Sequence, residues 1–329
     1  MEYTTLGDTG LEVSRICLGC MSFSEGEWRE WVLDEADSHE VIERAIDLGI
    51  NFFDTANMYA EGASERVLGR ALDGYDRDAM VVATKDHPFM SPGGYPPSDD
   101  GGGLSRKALE QSLSNSLERL GMDTVDLYQI HRWDYETPIE ETLSALDDAV
   151  RRGQIRYLGA SSMWAHQFAD ALATSGALGL DRFVSMQNHY NLAYREEERE
   201  MLPLCAQEGV GVIPWSPIAR GYLARSHDEY EATTRGQTDS YAEHLDYTRG
   251  GGPEINERVQ QVAEDEGVTM AQIALAWLLH QDVVDAPIVG TTSVQHLEEA
   301  VEAVEIDLSE SDLEYLEEPY EPIEVAGHE

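Results

Sequence analysis

Lysine is nearly missing from this chain: its 329 residues include only two, Lys85 and Lys107, and arginine supplies the rest of the positive charge. Positive charge is scarce altogether, with 22 Lys plus Arg against 64 Asp plus Glu and a formal net charge of -42. A field of that sign repels phosphate backbones and anionic lipid surfaces, so neither nucleic acid nor a membrane is an expected partner. No apolar run approaches the roughly 18 residues of a membrane-spanning helix. The acidic N-terminus also lacks the basic and apolar regions of a secretory signal. The expected location is therefore the cytoplasm. Cysteine is rare too: Cys17 and Cys20 make a C-x-x-C and Cys205 stands alone. One C-x-x-C supplies two of the four ligands of a structural zinc, and this one opens no thioredoxin-like helix. Buried or loop cysteines are expected, and no metal.

The acid that fills the chain is spread from Glu25 to Glu318 and interleaved with apolar periodicity, whereas a disordered acidic tail comes as a block. This reads as a solvated surface over a real core, and 42% of the residues are apolar. The acidic, lysine-poor composition resembles that of proteins from salt-accumulating halophiles, where molar salt screens self-repulsion. Weakened folding is expected in dilute buffer.

The first residues predict a hairpin, 2–6 and 11–14 around Gly7-Asp8-Thr9-Gly10. Short β-rich runs then follow at 15–18, 52–53, 80–84, 127–130, 157–158, 183–187, 211–214 and 287–289. Amphipathic segments alternate with them at 38–48, 64–72, 105–120, 138–152, 165–175, 197–208, 270–280 and 294–304. Thr269 followed by Gln272 is a capping-box pattern. Eight such units, with no early G-x-G-x-x-G and no composition break, predict one α/β domain over 1–329, a closed (β/α)8 TIM barrel behind an N-terminal β-hairpin. Stretches 86–104 and 217–253 interrupt the alternation after strands, so they are expected as long loops over the C-terminal face.

Four proton-handling residues end or follow successive strand runs: Asp54 and Tyr59, then Lys85, then His131. The C-terminal strand ends of a parallel barrel share one rim, where residues distant in sequence converge. A tyrosine phenol is a poor acid near neutral pH unless a cation stabilises its phenolate. Lys85 can do that while Asp54 holds the ammonium, and His131 can orient a carbonyl. Lysine rather than arginine suits such a position, because its compact charge is tunable by burial.

Phe53-Asp54-Thr55-Ala56 with Tyr59 and Gly62, Thr84-Lys85, and Gln129-Ile130-His131-Arg132 together resemble the aldo-keto reductase superfamily of NAD(P)H-dependent barrel oxidoreductases. Gly159-Ala160-Ser161-Ser162, Met186-Gln187-Asn188, Trp215-Ser216-Pro217 with Arg220-Gly221, and Ile288-Val289-Gly290 extend the likeness over nearly the whole chain. It lies nearest the aryl-alcohol dehydrogenase-like and potassium-channel-β-like branches. The resemblance implies reversible reduction of an aldehyde or ketone by hydride from nicotinamide, without metal. In it Tyr59 is the acid, Asp54 and Lys85 tune it, and His131 binds the substrate oxygen. It further implies that Ser161, Gln187 and Asn188 hold the carboxamide and that Trp215 stacks on the nicotinamide. Ser216, Ile218, Gly221 and Leu223 would cross the pyrophosphate, Gly290, Thr291, Thr292, Ser293 and His296 would meet phosphate, and Glu299 the adenosine. Met58 and Trp133 are expected in an apolar substrate pocket.

NADP(H) is the first expectation and NAD(H) the alternative, because segment 290–296 has no lysine or arginine for a 2′-phosphate. A small aryl or apolar aldehyde is the expected substrate. A nicotinamide-binding sensor or accessory subunit with slow turnover is the alternative function. A monomer is expected, and a homo-oligomer is compatible with the same chemistry.

Overall fold

In the computed structural model, which describes residues 1–26, 28–86 and 103–328, the apolar runs pair into a parallel ring. Its strands are β3 (Cys17–Gly19), β4 (Phe52–Asp54), β5 (Val81–Asp86), β6 (Val125–Ile130), β7 (Ile155–Ser161), β8 (Phe183–Gln187), β9 (Gly211–Val212) and β10 (Ile288–Gly290). The pairing order is β10-β3-β4-β5-β6-β7-β8-β9. Asp285 N donates to Val212 O and Ile288 N to Pro214 O, both at 2.9 Å, which joins the ninth strand to the approach of the tenth and closes the barrel.

The antiparallel hairpin of β1 (Tyr3–Thr5) and β2 (Glu12–Ser14) lies across the N-terminal end of the ring. Its turn residue Gly7 has a φ of +51°, and a Cβ there would come within 2.5 Å of Gly211 N. Gly7 N donates to Asp285 Oδ2 at 2.7 Å, which fastens the hairpin in place. Leu6 and Val13 of the hairpin pack with Cys17, Phe52, Val81, Ala83, Leu127, Ile213 and Ile288 in an apolar cluster at this end of the ring. Strand side chains alternate between faces. Two residues on from this apolar layer the same faces therefore carry Gly19 after Cys17, Asp54 after Phe52, Lys85 after Ala83 and Gln129 after Leu127. A polar layer thus sits above an apolar plug.

A larger apolar cluster fills the space between the strands and the helices. The helices are α1 (Glu35–Asp47), α2 (Ala63–Ala71), α3 (Arg106–Leu120), α4 (Ile139–Arg151), α5 (Ala165–Leu178) and α6 (Met201–Glu208). They continue as α7 (His227–Glu231), α8 (Thr234–Thr238), α9 (Ser240–Leu245), α10 (Gly252–Glu266), α11 (Met270–Leu279), α12 (Val294–Glu302) and α13 (Glu310–Glu317). The capping box forms as expected, Thr269 Oγ1 accepting from Gln272 N and Gln272 Oε1 from Thr269 N. Among the described residues no helix is long and apolar enough to cross a membrane.

Two features differ from the sequence reading. The expected loop 217–253 contains the short helices α7, α8 and α9, and Gly252 opens α10. Pro253 sits in the first turn of α10, where its missing N–H is not needed, and Ile255, Val259 and Val262 bury one helical face. Segment 197–208 is split at Glu200 into a 3-10 turn and α6. Residues 87–102 of the other expected loop lie outside the described residues, while its end at Leu104 is buried in the core.

Candidate active site

At the rim, β4 and β5 are neighbours in register, and their ends bring Asp54 and Lys85 together. Lys85 Nζ donates to Asp54 Oδ2 at 2.5 Å and to Thr55 O at 2.8 Å, and both side chains are buried. The other carboxylate oxygen accepts from Gln129 Nε2 at 2.9 Å and from Gln187 Nε2 at 3.0 Å. A buried charge pair is tolerable when hydrogen bonds also satisfy its remaining lone pairs. Gln129 was part of a motif in the sequence but carried no role there. Its place on the inward face of β6, two residues from Leu127, was the available signal.

Tyr59 follows β4 on a tight turn in which Ala60 and Glu61 have φ values of 45° and 57°. Lys85 Nζ lies 5.0 Å from the Tyr59 ring centroid, and the His131 ring meets Tyr59 edge-on at 5.9 Å. Burial opposes the Lys85 charge, but Asp54 and Tyr59 outweigh it and raise the lysine pKa. Burial also raises the Tyr59 pKa, and Lys85 offsets only part of that rise. The phenol consequently keeps its proton at neutral pH until a neighbouring oxygen gains negative charge.

A cleft of about 1390 Å³ opens over this group. Tyr59, Met58, His131, Ser161, Gln187 and Trp215 line one part, with Asp54 at its floor and Lys85 buried beneath. Ser216, Ile218, Gly221, Gly290, Thr291, Thr292, His296 and Glu299 line the remainder. Four expected contacts are not among the cleft-lining residues. Leu223 is buried in the core, and Trp133 packs against the core. Asn188 donates to Glu197 at 3.0 Å, and Ser293 is the N-cap of α12. Unlike Asp34, Ser105 and Thr269, Ser293 makes no side-chain cap bond to its helix, so the first-turn amides of α12 are left available for an anion.

Trp215 is held from behind. The His189 ring stacks on it at 4.2 Å and on Tyr194 at 4.0 Å, and Trp215 Nε1 donates to Ser162 Oγ at 2.9 Å. Burial, then the charge of Arg220, holds His189 well below the usual imidazole range, so it is neutral. Left-handed backbone gathers at the same rim: among the described non-glycine residues with positive φ, Glu61, Ser216 and Arg220 line the cleft, and Ala60, Ser162 and Ala219 are sequence neighbours of lining residues. Such strain collects where a fixed geometry is needed. Sequence reasoning missed the cleft contributions of Met21, Ser22, Trp28, Arg29 and Trp31, which follow β3, and of Arg235.

A polar rim with one buried lysine, a protonated tyrosine, a histidine and a long adjoining cleft suits proton delivery to a carbonyl oxygen beside an elongated cofactor. Comparison with known proteins agrees. Residues 15–321 match the model of the aldo/keto reductase family. The versiconal hemiacetal acetate reductase of Aspergillus parasiticus is 43% identical, covering 98% of each chain. The aldo-keto reductase dtxS3 of Metarhizium robertsii is 42% identical over all of this chain and 93% of its own length. A Schizosaccharomyces pombe protein whose name places it with the aryl-alcohol dehydrogenases is 43% identical, covering 99% of this chain and 97% of its own. The chain belongs to the aldo/keto reductase family, as an oxidoreductase that reduces carbonyl groups with a nicotinamide cofactor.

Proposed function

We propose that Tyr59 delivers the proton to the carbonyl oxygen of a small aromatic aldehyde and that NADPH is the preferred cofactor. The observation that carries the acid role is the arrangement of Tyr59 above the buried Lys85–Asp54 pair, with the phenol and His131 both lining the cleft. His131 orients the carbonyl oxygen toward Tyr59. The ammonium of Lys85 stabilises the phenolate left behind, and Asp54, fixed by Gln129 and Gln187, keeps that ammonium in place. Reduced nicotinamide, when bound, supplies the hydride.

The cleft residues fit such a group. Ser161 and Gln187 offer polar atoms beside Trp215, whose face the His189 stack fixes, and the open α12 terminus suits phosphate. Segment 290–296 lacks lysine and arginine, but its His296 and the nearby Arg225 line the same cleft and suit a 2′-phosphate. Met58 and the tryptophans after β3 supply apolar surface for an aryl ring. Steady-state oxidation of NADPH and NADH with a panel of aromatic aldehydes tests this. Multiple turnovers with a higher kcat/KM for NADPH are expected. A single slow turnover supports the sensor alternative, and a far higher kcat/KM for NADH refutes the cofactor assignment.

A further inference from the structure

The cleft reverses the charge of the molecule around it. In a chain with almost three acids per basic residue, five arginines, Arg29, Arg132, Arg220, Arg225 and Arg235, line this one space. Three of them cluster around a single carboxylate. Arg220 donates to Asp239 Oδ2 through Nη2 at 2.5 Å and Nε at 2.8 Å, and Arg235 Nε donates to the same oxygen at 3.1 Å. Arg29 stacks on Trp28 at 4.5 Å and Trp31 at 5.5 Å, and the guanidinium of Arg235 covers the Trp31 ring at 4.4 Å. Glu30, Asp54, Glu61 and Glu299 also line the cleft, yet among the described residues none of them forms an ion pair with these arginines. One aspartate therefore serves three guanidinium groups: it accepts hydrogen bonds from Arg220 and Arg235 and acts on Arg29 through its charge.

Stacking uses the face of a guanidinium and leaves its in-plane N–H donors for a planar anion. The place of Arg29 ties it to the reacting end. Burial lowers its pKa most, followed in effect by the charges of Asp239, Arg220 and Tyr59, so the phenol is among its electrostatic neighbours. It stands on the segment leaving β3, and β3 pairs with β4 so that Gly19 lies opposite Asp54.

Resting on the reductase reading above, we propose that the substrate is an aromatic aldehyde that also carries a carboxylate. The carboxylate binds Arg29 and Arg235 beside Trp28 and Trp31 while the carbonyl meets Tyr59 and His131. The reaction stays a two-electron reduction: hydride from reduced nicotinamide forms the new C–H bond, the Tyr59 proton forms the O–H bond, and the carboxylate is unchanged.

The test compares 3- and 4-formylbenzoate with their methyl esters, which match them in ring and carbonyl and lack the charge. Each pair is measured with the same saturating cofactor at one fixed salt concentration, so cofactor effects cancel in the acid-to-ester ratio of kcat/KM. At least one acid is expected to exceed its ester by about tenfold, the size of a charge-assisted hydrogen bond. That ratio should fall toward one in Arg29→Gln, whose side chain lines the cleft. Esters turned over as well as both acids, or a ratio unchanged in Arg29→Gln, overturn the proposal while leaving the reductase reading intact. Failure to turn over any of the four refutes that reading instead. The anion site is then decided by benzoate quenching of tryptophan fluorescence: quenching lost in Arg29→Gln supports it, and quenching absent or equal in both proteins overturns it.

Discussion

Replacing Lys85 by Met removes a buried ammonium and strands the Asp54 carboxylate, which is 2% exposed. Breaking one member of a buried ion pair costs about 3–5 kcal/mol, because the surviving charge has lost its partner without regaining water. Asp54 keeps the Gln129 and Gln187 donors, so the loss in Lys85→Met is expected near the lower end, about 3 kcal/mol. Asp54→Asn leaves the ammonium with neutral oxygens only, Thr55 O and the Tyr59 phenol among them, and is expected to cost a similar amount. The double variant removes both charges together. Its destabilisation should fall short of the sum of the singles by about 2 kcal/mol, within the range of directly coupled neighbours. Urea unfolding of the four proteins at one fixed potassium chloride concentration reads these values. The coupling should persist when the salt is doubled, since mobile ions do not enter the site. Singles that add within about 0.5 kcal/mol would refute the reasoning.

Asp86 is buried, accepts from Asn57 and Ser112, and burial pushes its carboxyl up to about 6. The folded state therefore binds this proton more tightly than the unfolded chain, and the stability this confers is lost as pH rises from the ordinary 3.8 through about 6. Asp86→Asn should raise Tm relative to wild type more at pH 8 than at pH 5, by the equivalent of about 1.4 kcal/mol, and a gap independent of pH contradicts it. His189→Leu removes the stack behind Trp215 and should weaken nicotinamide cofactor binding about three- to tenfold in a fluorescence titration; unaltered affinity would show that the stack does not position Trp215. The acidic surface predicts that Tm rises between dilute and molar potassium chloride, and a constant or falling Tm counts against salt screening as a source of stability.

The parts of the molecule legible in the sequence were those set by local periodicity. Alternation within β4, β5 and β6 carries Asp54, Lys85 and Gln129 onto one face, and the strand ends locate Tyr59 and His131. Helix α10 was hidden because Gly250-Gly251-Gly252 and Pro253 read as loop, although Pro suits a first helical turn. Leu223 was expected in the cleft and is buried instead, because the 3-10 turn around it kinks at Arg220 and Gly221. The arginine cluster was out of reach for another reason. Arg235 and Asp239 are four residues apart, a helical spacing, but the segment that carries Arg29 reaches Asp239 only in the folded chain, and no periodicity records that approach.

The central claim is that the Tyr59 phenol supplies the proton. Aldehyde reduction by Tyr59→Phe, measured with saturating cofactor and with cofactor binding confirmed independently, tests it most directly. The expected result is a fall in kcat of about 10²- to 10⁴-fold with the cofactor still bound, the range for loss of a positioned acid. Undiminished turnover by the cofactor-bound variant would contradict the account.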